Sequence, residues 1–388
     1  MLLAGQAMAN DTFSIRGTLK GNAEGARVQM QYIDGMEPVS LGNTVVKDGK
    51  FELQGKVDSP VLASLTIDMN DPKDAQPDYV NKAVQVNFYV ENSEITIEGD
   101  VNTLPAVYYN ENRTGKAVIK GSKAQDDYDR FNTLLAPVKA KSDSLFDRIV
   151  QEYNIPMSNG QDARAAGIRL VNEQKPYKEQ EKMLTLGYIL ANISSPVAFD
   201  EAYYTLSGYL FPLTAAEFDN LNGVLKAHWG ETERYKKALP TIQKNRALAV
   251  GEKYVDIDLV DEKGKTVKLS SLIPQGKYCM LDFWASWCGP CRAEIPHLKK
   301  LAEAYKDFDI ISVSLDEKDA AWKKALKEEA MAWPQLRNPK GVYGVTLDVY
   351  NITGIPNCII LDDQGRFVRS NMRGAYLDAF LAETFGLK

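Results

Sequence analysis

Residues 281–298, LDFWASWCGPCRAEIPHL, change their periodicity within a few positions. The stretch leading in, YCMLDFWA from Tyr278 to Ala285, is apolar throughout except for Asp282, the pattern of a strand buried on both faces. Beyond Pro290, Ile295, Leu298, Leu301, Ala302 and Tyr305 recur at helical spacing. FDIISVSL then reads as a second strand. Strand, helix and strand of this size predict a parallel pair with a right-handed crossover. AAWKKALKEEA adds a helix, NCIILDDQGRFVR a hairpin turning at Asp362–Gly365, and AYLDAFLAETF a closing helix.

The first strand-to-helix turn holds Cys288 and Cys291, two of the four cysteines. A structural zinc site needs four Cys or His ligands. This chain has only His228 and His297, which read as ordinary surface or helix residues, and no second C-x-x-C, so no metal is expected. A structural staple closing so short a loop removes little unfolded-chain entropy. Redox cycling fits better. Cys288 falls at the helix N-terminus, where free amides and the macrodipole favour the nucleophilic thiolate. Cys291 follows one turn on. Gly289 permits the turn, and Pro290 needs no amide bond in a first helical turn. Cys279 and Cys358 lie inside strands and read as buried apolar fillers.

FWASWCGPC closely resembles the active-site motif of thioredoxin, and residues 251–388 resemble the TlpA and ResA branch of that superfamily. Pro296 falls where the family's active-site helix carries a proline. TGIPNC resembles the segment with the family's cis-proline, so Ile355–Pro356 is the expected cis bond. The resemblance implies thiol-disulfide exchange without a cofactor, with Cys288 attacking and Cys291 resolving. Trp287 and Pro356 would shape the surface that receives a substrate peptide. Asp282 matches the buried aspartate of thioredoxin, and Glu294 the glutamate of the TlpA and ResA branch. Either carboxylate could relay the Cys291 proton. Glu294 equally reads as a solvated helix residue, whereas a carboxylate inside an apolar strand is costly to bury without purpose. The implied partners are disulfide-containing or dithiol proteins and a membrane-bound dithiol donor. A thiol peroxidase on the same fold would carry a hydroxyl residue three before its cysteine. Here that position is Ala285.

The rest of the chain reads as separate parts of a multidomain α+β protein. Residues 10–105 contain short β-rich runs such as TFSIRGTL, ARVQMQYI and AVQVNFYV, separated by Gly, Asn, Asp and Pro clusters. They predict a small β-sandwich. VVKDGKFELQGKVDSP resembles the DUF4369-type domain often fused to such redox domains in Bacteroidetes. Residues 106–250 read as a helical connector. Phe131, Leu134, Leu135 and Val138 share a helical stripe, Thr214 and Glu217 form a capping box, and Pro196 suits a first helical turn. The Tyr-rich YYTLSGYLF reads as core. A competing role for these two regions is a binding or scaffold function with the redox domain as accessory. The net charge of −6 supplies no basic field for nucleic acid, and no apolar run reaches bilayer-spanning length. At the start, MLLAGQAMA carries a small-x-small pattern before polar NDT. It is expected to be the tail of a signal peptide whose beginning is missing, placing the protein in the periplasm.

Overall fold

A computed structural model describes residues 11–35, 37–70, 82–107, 114–208 and 210–387. They form two compact units. One runs to Leu134 and includes Ser195–Val197; the other holds Leu135–Ser194 and the chain from Ala198 onward.

The first unit has eight strands among its described residues: β1 (Phe13–Lys20), β2 (Arg27–Asp34), β3 (Glu37–Val45), β4 (Lys50–Gly55), β5 (Val61–Asp68), β6 (Val84–Val90), β7 (Glu94–Asp100) and β8 (Val118–Lys120). Two four-stranded sheets run in the orders β4-β1-β7-β8 and β3-β2-β5-β6. Alternate residues of both sheets share one core, including Phe13, Ile15, Val28, Met30, Leu65 and Phe88. This is the expected sandwich, and β1–β7 is its parallel pair. Strand β3 escapes the sequence pattern for a physical reason: as an edge strand it contains no fully buried residue, so no apolar alternation marks it.

Helices follow: α1 (Lys123–Ile149), a π-helical turn (Val150–Asn154), α2 (Ile155–Ser158), α3 (Arg164–Ala191), α4 (Pro196–Leu206), α5 (Ala215–Trp229) and α6 (Glu233–Arg246). Pro196 opens α4, where its missing amide costs nothing. The Thr214–Glu217 box is present in both directions: Glu217 N donates to Thr214 Oγ1 at 3.3 Å, and Thr214 N to Glu217 Oε2 at 2.8 Å. Ile189, Phe199, Phe218, Leu225, Tyr235 and Ile242 belong to one helical core. Phe131, Leu135 and Val138 are buried as their spacing requires, but Leu134 is exposed. Of the Tyr-rich stretch, Tyr203 packs on the helical core, Tyr204 is exposed, and Tyr209 lies outside the described residues.

The C-terminal part adds β9 (Asp258–Asp261), β10 (Thr266–Lys268), β11 (Tyr278–Trp284), α7 (Gly289–Ala304), β12 (Phe308–Ser314) and α8 (Asp319–Glu329). It continues with β13 (Gln335–Arg337), α9 (Val345–Tyr350), β14 (Asn357–Leu361), β15 (Phe367–Ser370) and α10 (Ala375–Phe385). Seven strands run in the order β10-β9-β13-β12-β11-β14-β15. The β11–β12 pair is parallel, and β14–β15 is the expected antiparallel hairpin, with Gly365 at φ +73° closing its turn. Strand alternation divides β11 between two cores. Cys279, Leu281 and Phe283 face one side; Met280 joins Leu298, Leu301, Leu377 and Leu381 of α7 and α10 on the other. Asp282 has the parity of Met280 and is therefore directed toward α7 and α10.

Candidate active site

Strand β11 delivers the chain to a turn that launches α7. Cys288 is the N-cap residue of that helix, and its Sγ accepts the Cys291 amide at 3.2 Å. The two cysteines are joined in a disulfide, with Cα atoms 5.3 Å apart. Pro290 lies in the first turn, as its missing amide allows. Trp287 is 64% exposed beside the buried pair. Both cysteines pack in a cluster with Trp284, Ala285, Ile295 and Trp322. Ile355 lies against that cluster, and Ile355–Pro356 is cis. The remote segment TGIPNC thus packs on the cluster that holds the pair.

Asp282 is buried and stands level with Ser312 on β12 and with Cys358 on β14. Ser312 Oγ donates to Asp282 Oδ2 at 2.7 Å, and Trp333 Nε1 donates to Ser312 Oγ at 2.9 Å. Burial pushes the Asp282 carboxyl up to about 6. The Ser312 bond opposes that shift, the charge of Glu294 adds to it, and Arg373 opposes it. A carboxyl in this range both accepts and releases a proton near neutrality.

Glu294 is not the free helix-surface residue that one sequence reading allowed. Its Oε1 meets His297 Nδ1 at 2.8 Å and accepts the Gly374 amide at 3.1 Å. His297 corrects the sequence reading too. It is buried, and its Nε2 lies 3.0 Å from Asp378 Oδ1. Burial by itself would lower the imidazole pKa, but the bonds to Asp378 and Glu294 and their charges raise it to about 9. Asp378 also accepts the Tyr153 hydroxyl at 2.7 Å. Sequence spacing places Glu294 and His297 on one helix face, but nothing in it pairs them with residues 153 and 378.

A second missed residue is Asp316. Its Oδ2 accepts the Ser286 amide at 2.8 Å, and its Oδ1 accepts the Ser286 hydroxyl at 2.5 Å. The register Trp284↔Ser314 carries this pairing two residues past both strand ends. The signal was therefore latent in the predicted parallel pair. Cys279 and Cys358 are buried free thiols, each raised to about 12 chiefly by burial. Among the described residues no group of three or more His, Cys, Asp or Glu could hold a metal ion. A cavity of about 380 Å³, lined by Ser207, Leu213, Asn245, Tyr350 and Asn357 among others, contains neither redox cysteine.

The AhpC/TSA family matches residues 250–370, and a domain of unknown function, DUF4369, matches residues 13–128. Over 133 residues the chain is 31% identical to the thiol-disulfide oxidoreductase ResA of Halalkalibacterium halodurans, covering 34% of this chain and 73% of that protein. The solved thioredoxin domain of a Bacteroides vulgatus thiol-disulfide oxidoreductase is 36% identical, covering 36% of this chain and 98% of its own, with a TM-score of 0.32. A thiol:disulfide interchange protein from a Bacteroides species is likewise 36% identical, covering 35% of this chain and 90% of its own, with a TM-score of 0.32. A C-x-x-C disulfide capping a helix beside a cis-proline loop defines a thioredoxin-like enzyme. The chain belongs to the ResA family of thiol-disulfide oxidoreductases. Disulfide or dithiol proteins are the substrate class that this family implies.

Proposed function

We propose that this oxidoreductase works outside the cytoplasm, in the periplasm, as a reductase of protein disulfides. A membrane-bound dithiol donor would return it to the dithiol form. The observation that carries this reading is the Cys288–Cys291 pair at the N-terminus of α7, beside exposed Trp287. The intervening Gly-Pro is the dipeptide of thioredoxin, a strongly reducing member of the class. The residues that suggested an export signal, MLLAGQAMA, lie outside the described residues. Among the described residues no helix is long and apolar enough to cross a membrane. In this reading residues 251–388 carry the reacting groups, and residues 10–105 and 106–250 carry none of them.

The cycle begins with the reduced pair. The Cys288 thiolate attacks one sulfur of the substrate disulfide. A Cys288–substrate bond forms, and the other substrate sulfur leaves as a thiolate. Cys291 then gives its proton to the Asp282 carboxylate and attacks Cys288. The 288–291 bond forms as the Cys288–substrate bond breaks, and the second substrate sulfur leaves and is protonated. Two electrons pass from the enzyme dithiol to the substrate. Trp287 and the loop at Pro356 border the surface on which the substrate chain lies. A peroxidase reading draws on the AhpC/TSA match, but Ala285 supplies no hydroxyl at the position that chemistry uses.

The test is capture of substrates on the Cys291→Ala variant in the native compartment. Its first step is intact and its second is blocked, so disulfide-containing proteins should accumulate on Cys288. Capture on Cys288→Ala instead would reverse the assigned roles.

A further inference from the structure

The buried groups beyond the cysteine pair form a chain that the thiol chemistry leaves unused. It starts in the π-helical turn at Tyr153, whose hydroxyl donates to Asp378 Oδ2 on α10 at 2.7 Å. Asp378 Oδ1 meets His297 Nε2 on α7 at 3.0 Å, and His297 Nδ1 meets Glu294 Oε1 at 2.8 Å. The Gly374 amide closes the end by donating to the same Glu294 oxygen at 3.1 Å. Asp378 is 2% exposed, and Tyr153 and His297 are also buried.

Both imidazole nitrogens face carboxylates. With both carboxylates ionised, only the doubly protonated ring donates to both. Asp378 is buried and Glu294 half-buried, and holding two such carboxylates on either side of one ring is unfavourable unless that ring is a cation, the position His297 occupies. The approach of the helical segment is equally specific. A Cβ on Gly167 of α3 would collide with the Tyr153 ring and lie 2.9 Å from the Ala375 Cβ. Tyr153, Leu170 and Ala375 share one apolar cluster, so α3 and α10 hold the tyrosine where its hydroxyl reaches Asp378. Glu294 has one oxygen committed twice, and its charge acts on Asp282.

We propose that Tyr153, Asp378 and His297 are positioning residues that fasten Glu294 in a buried charged chain, so that Glu294 acts on Asp282 through its charge and does not itself take the Cys291 proton. The helical segment thereby completes the redox site from behind. The inference rests on the redox reading of the cysteine pair for its consequence, but the chain itself is checked without turnover. The other groups that act here are Ser312 and Cys358 beside Asp282, Arg373 facing Asp282, and Arg164 facing Tyr153 and Asp378.

Two measurements on the full chain test it. With ¹⁵N-labelled histidine, one of the two imidazoles should hold both protons at pH 8, and that signal should be missing from His297→Gln. A wild-type protein with no doubly protonated ring at pH 8 overturns the chain. The second measurement is the pH dependence of 288–291 closure when reduced protein meets hydroxyethyl disulfide, followed by intrinsic tryptophan fluorescence. Removing the negative charge with Glu294→Gln should move the acid limb to lower pH by about half a unit, and removing the cation with His297→Gln should move it to higher pH by about as much. Tyr153→Phe keeps the ring against Gly167 and should give a smaller shift in the direction of His297→Gln, so the test survives if His297→Gln does not fold. Loss of the acid limb in Glu294→Gln would make Glu294 the proton carrier and overturn the proposal, as would limbs unmoved in Glu294→Gln and Tyr153→Phe. Failure of wild-type closure with a normal imidazole result would instead count against the redox reading alone.

Discussion

Ser312 and Asp282 lie side by side in the parallel β11–β12 pair, and the serine hydroxyl donates to the carboxylate at 2.7 Å. The bond stabilises the charged form, yet burial outweighs it and leaves the carboxyl at about 6 against an ordinary 3.8. Folding therefore takes up a proton on Asp282 between those values. Stability falls as pH rises through that window and stays at the lower level above it. Asp282→Asn removes the penalty. At pH 7.5 the variant should be more stable to denaturant by about 3 kcal/mol, with the gain gone below pH 4. On the proposed mechanism its insulin reduction should fall about tenfold or more, because the proposed proton acceptor is lost. A variant that is both no more stable and fully active would remove Asp282 from the mechanism.

Cysteine reactivity should divide sharply. Burial holds Cys279 and Cys358 at about 12, so iodoacetamide at pH 8 should leave both unlabelled in the reduced folded protein. Cys288 should label first, with an apparent pKa below the free-thiol value of about 8.5. Cys288→Ser should abolish insulin reduction, and Cys279→Ser and Cys358→Ser should retain most of it. Labelling of Cys291 ahead of Cys288 would contradict the order of attack.

Peroxide should be a poor substrate. Ala285 is fully buried and carries no hydroxyl. With a dithiol donor, hydrogen peroxide turnover should be negligible beside insulin reduction. Comparable rates would favour the peroxidase reading.

His297 gives a separate pH signature. Its folded pKa of about 9 exceeds the ordinary 6.5, so its contribution is fully present below 6.5 and is lost as pH rises through about 9. The stability difference between wild type and His297→Gln should be about 3 kcal/mol at pH 6 and should shrink steadily toward pH 9.5. Denaturant titrations at four pH values suffice. A difference independent of pH would show that the ring is not protonated in the fold.

Asp316→Ala should loosen the turn before the cysteines. It strands the Ser286 amide and hydroxyl and the Ser314 hydroxyl, which donates to Asp316 Oδ2 at 2.8 Å. Stability should drop by about 2–3 kcal/mol. Asp316→Asn, which keeps one acceptor oxygen, should lose less. Equal melting temperatures for Asp316→Ala and wild type would refute the pinning role.

Much of this site was legible along the chain because its signals are local. The shift from continuous to helical apolar spacing around Cys288 specifies a strand, a turn and a helix, and the helix start brings its own field to the thiol. Burial of Asp282 follows from its place in an apolar strand. The capping box at Thr214 and the hairpin at Gly365 are likewise short-range chemistry. Edge strand β3 was not legible, because a strand without a fully buried residue leaves no alternation to read.

What the sequence determined by itself was the reactive pair, the strand and helix that present it, and two acids, Asp282 and Glu294, on those same two elements. Tertiary structure alone decided how those acids are employed. Tyr153 and Asp378 are separated by 225 positions, and His297 and Asp378 by 81. No periodicity relates residues so distant. Only the packing of α3, α7 and α10 brings their polar atoms within hydrogen-bond distance and removes the water that would otherwise weaken the charges among them.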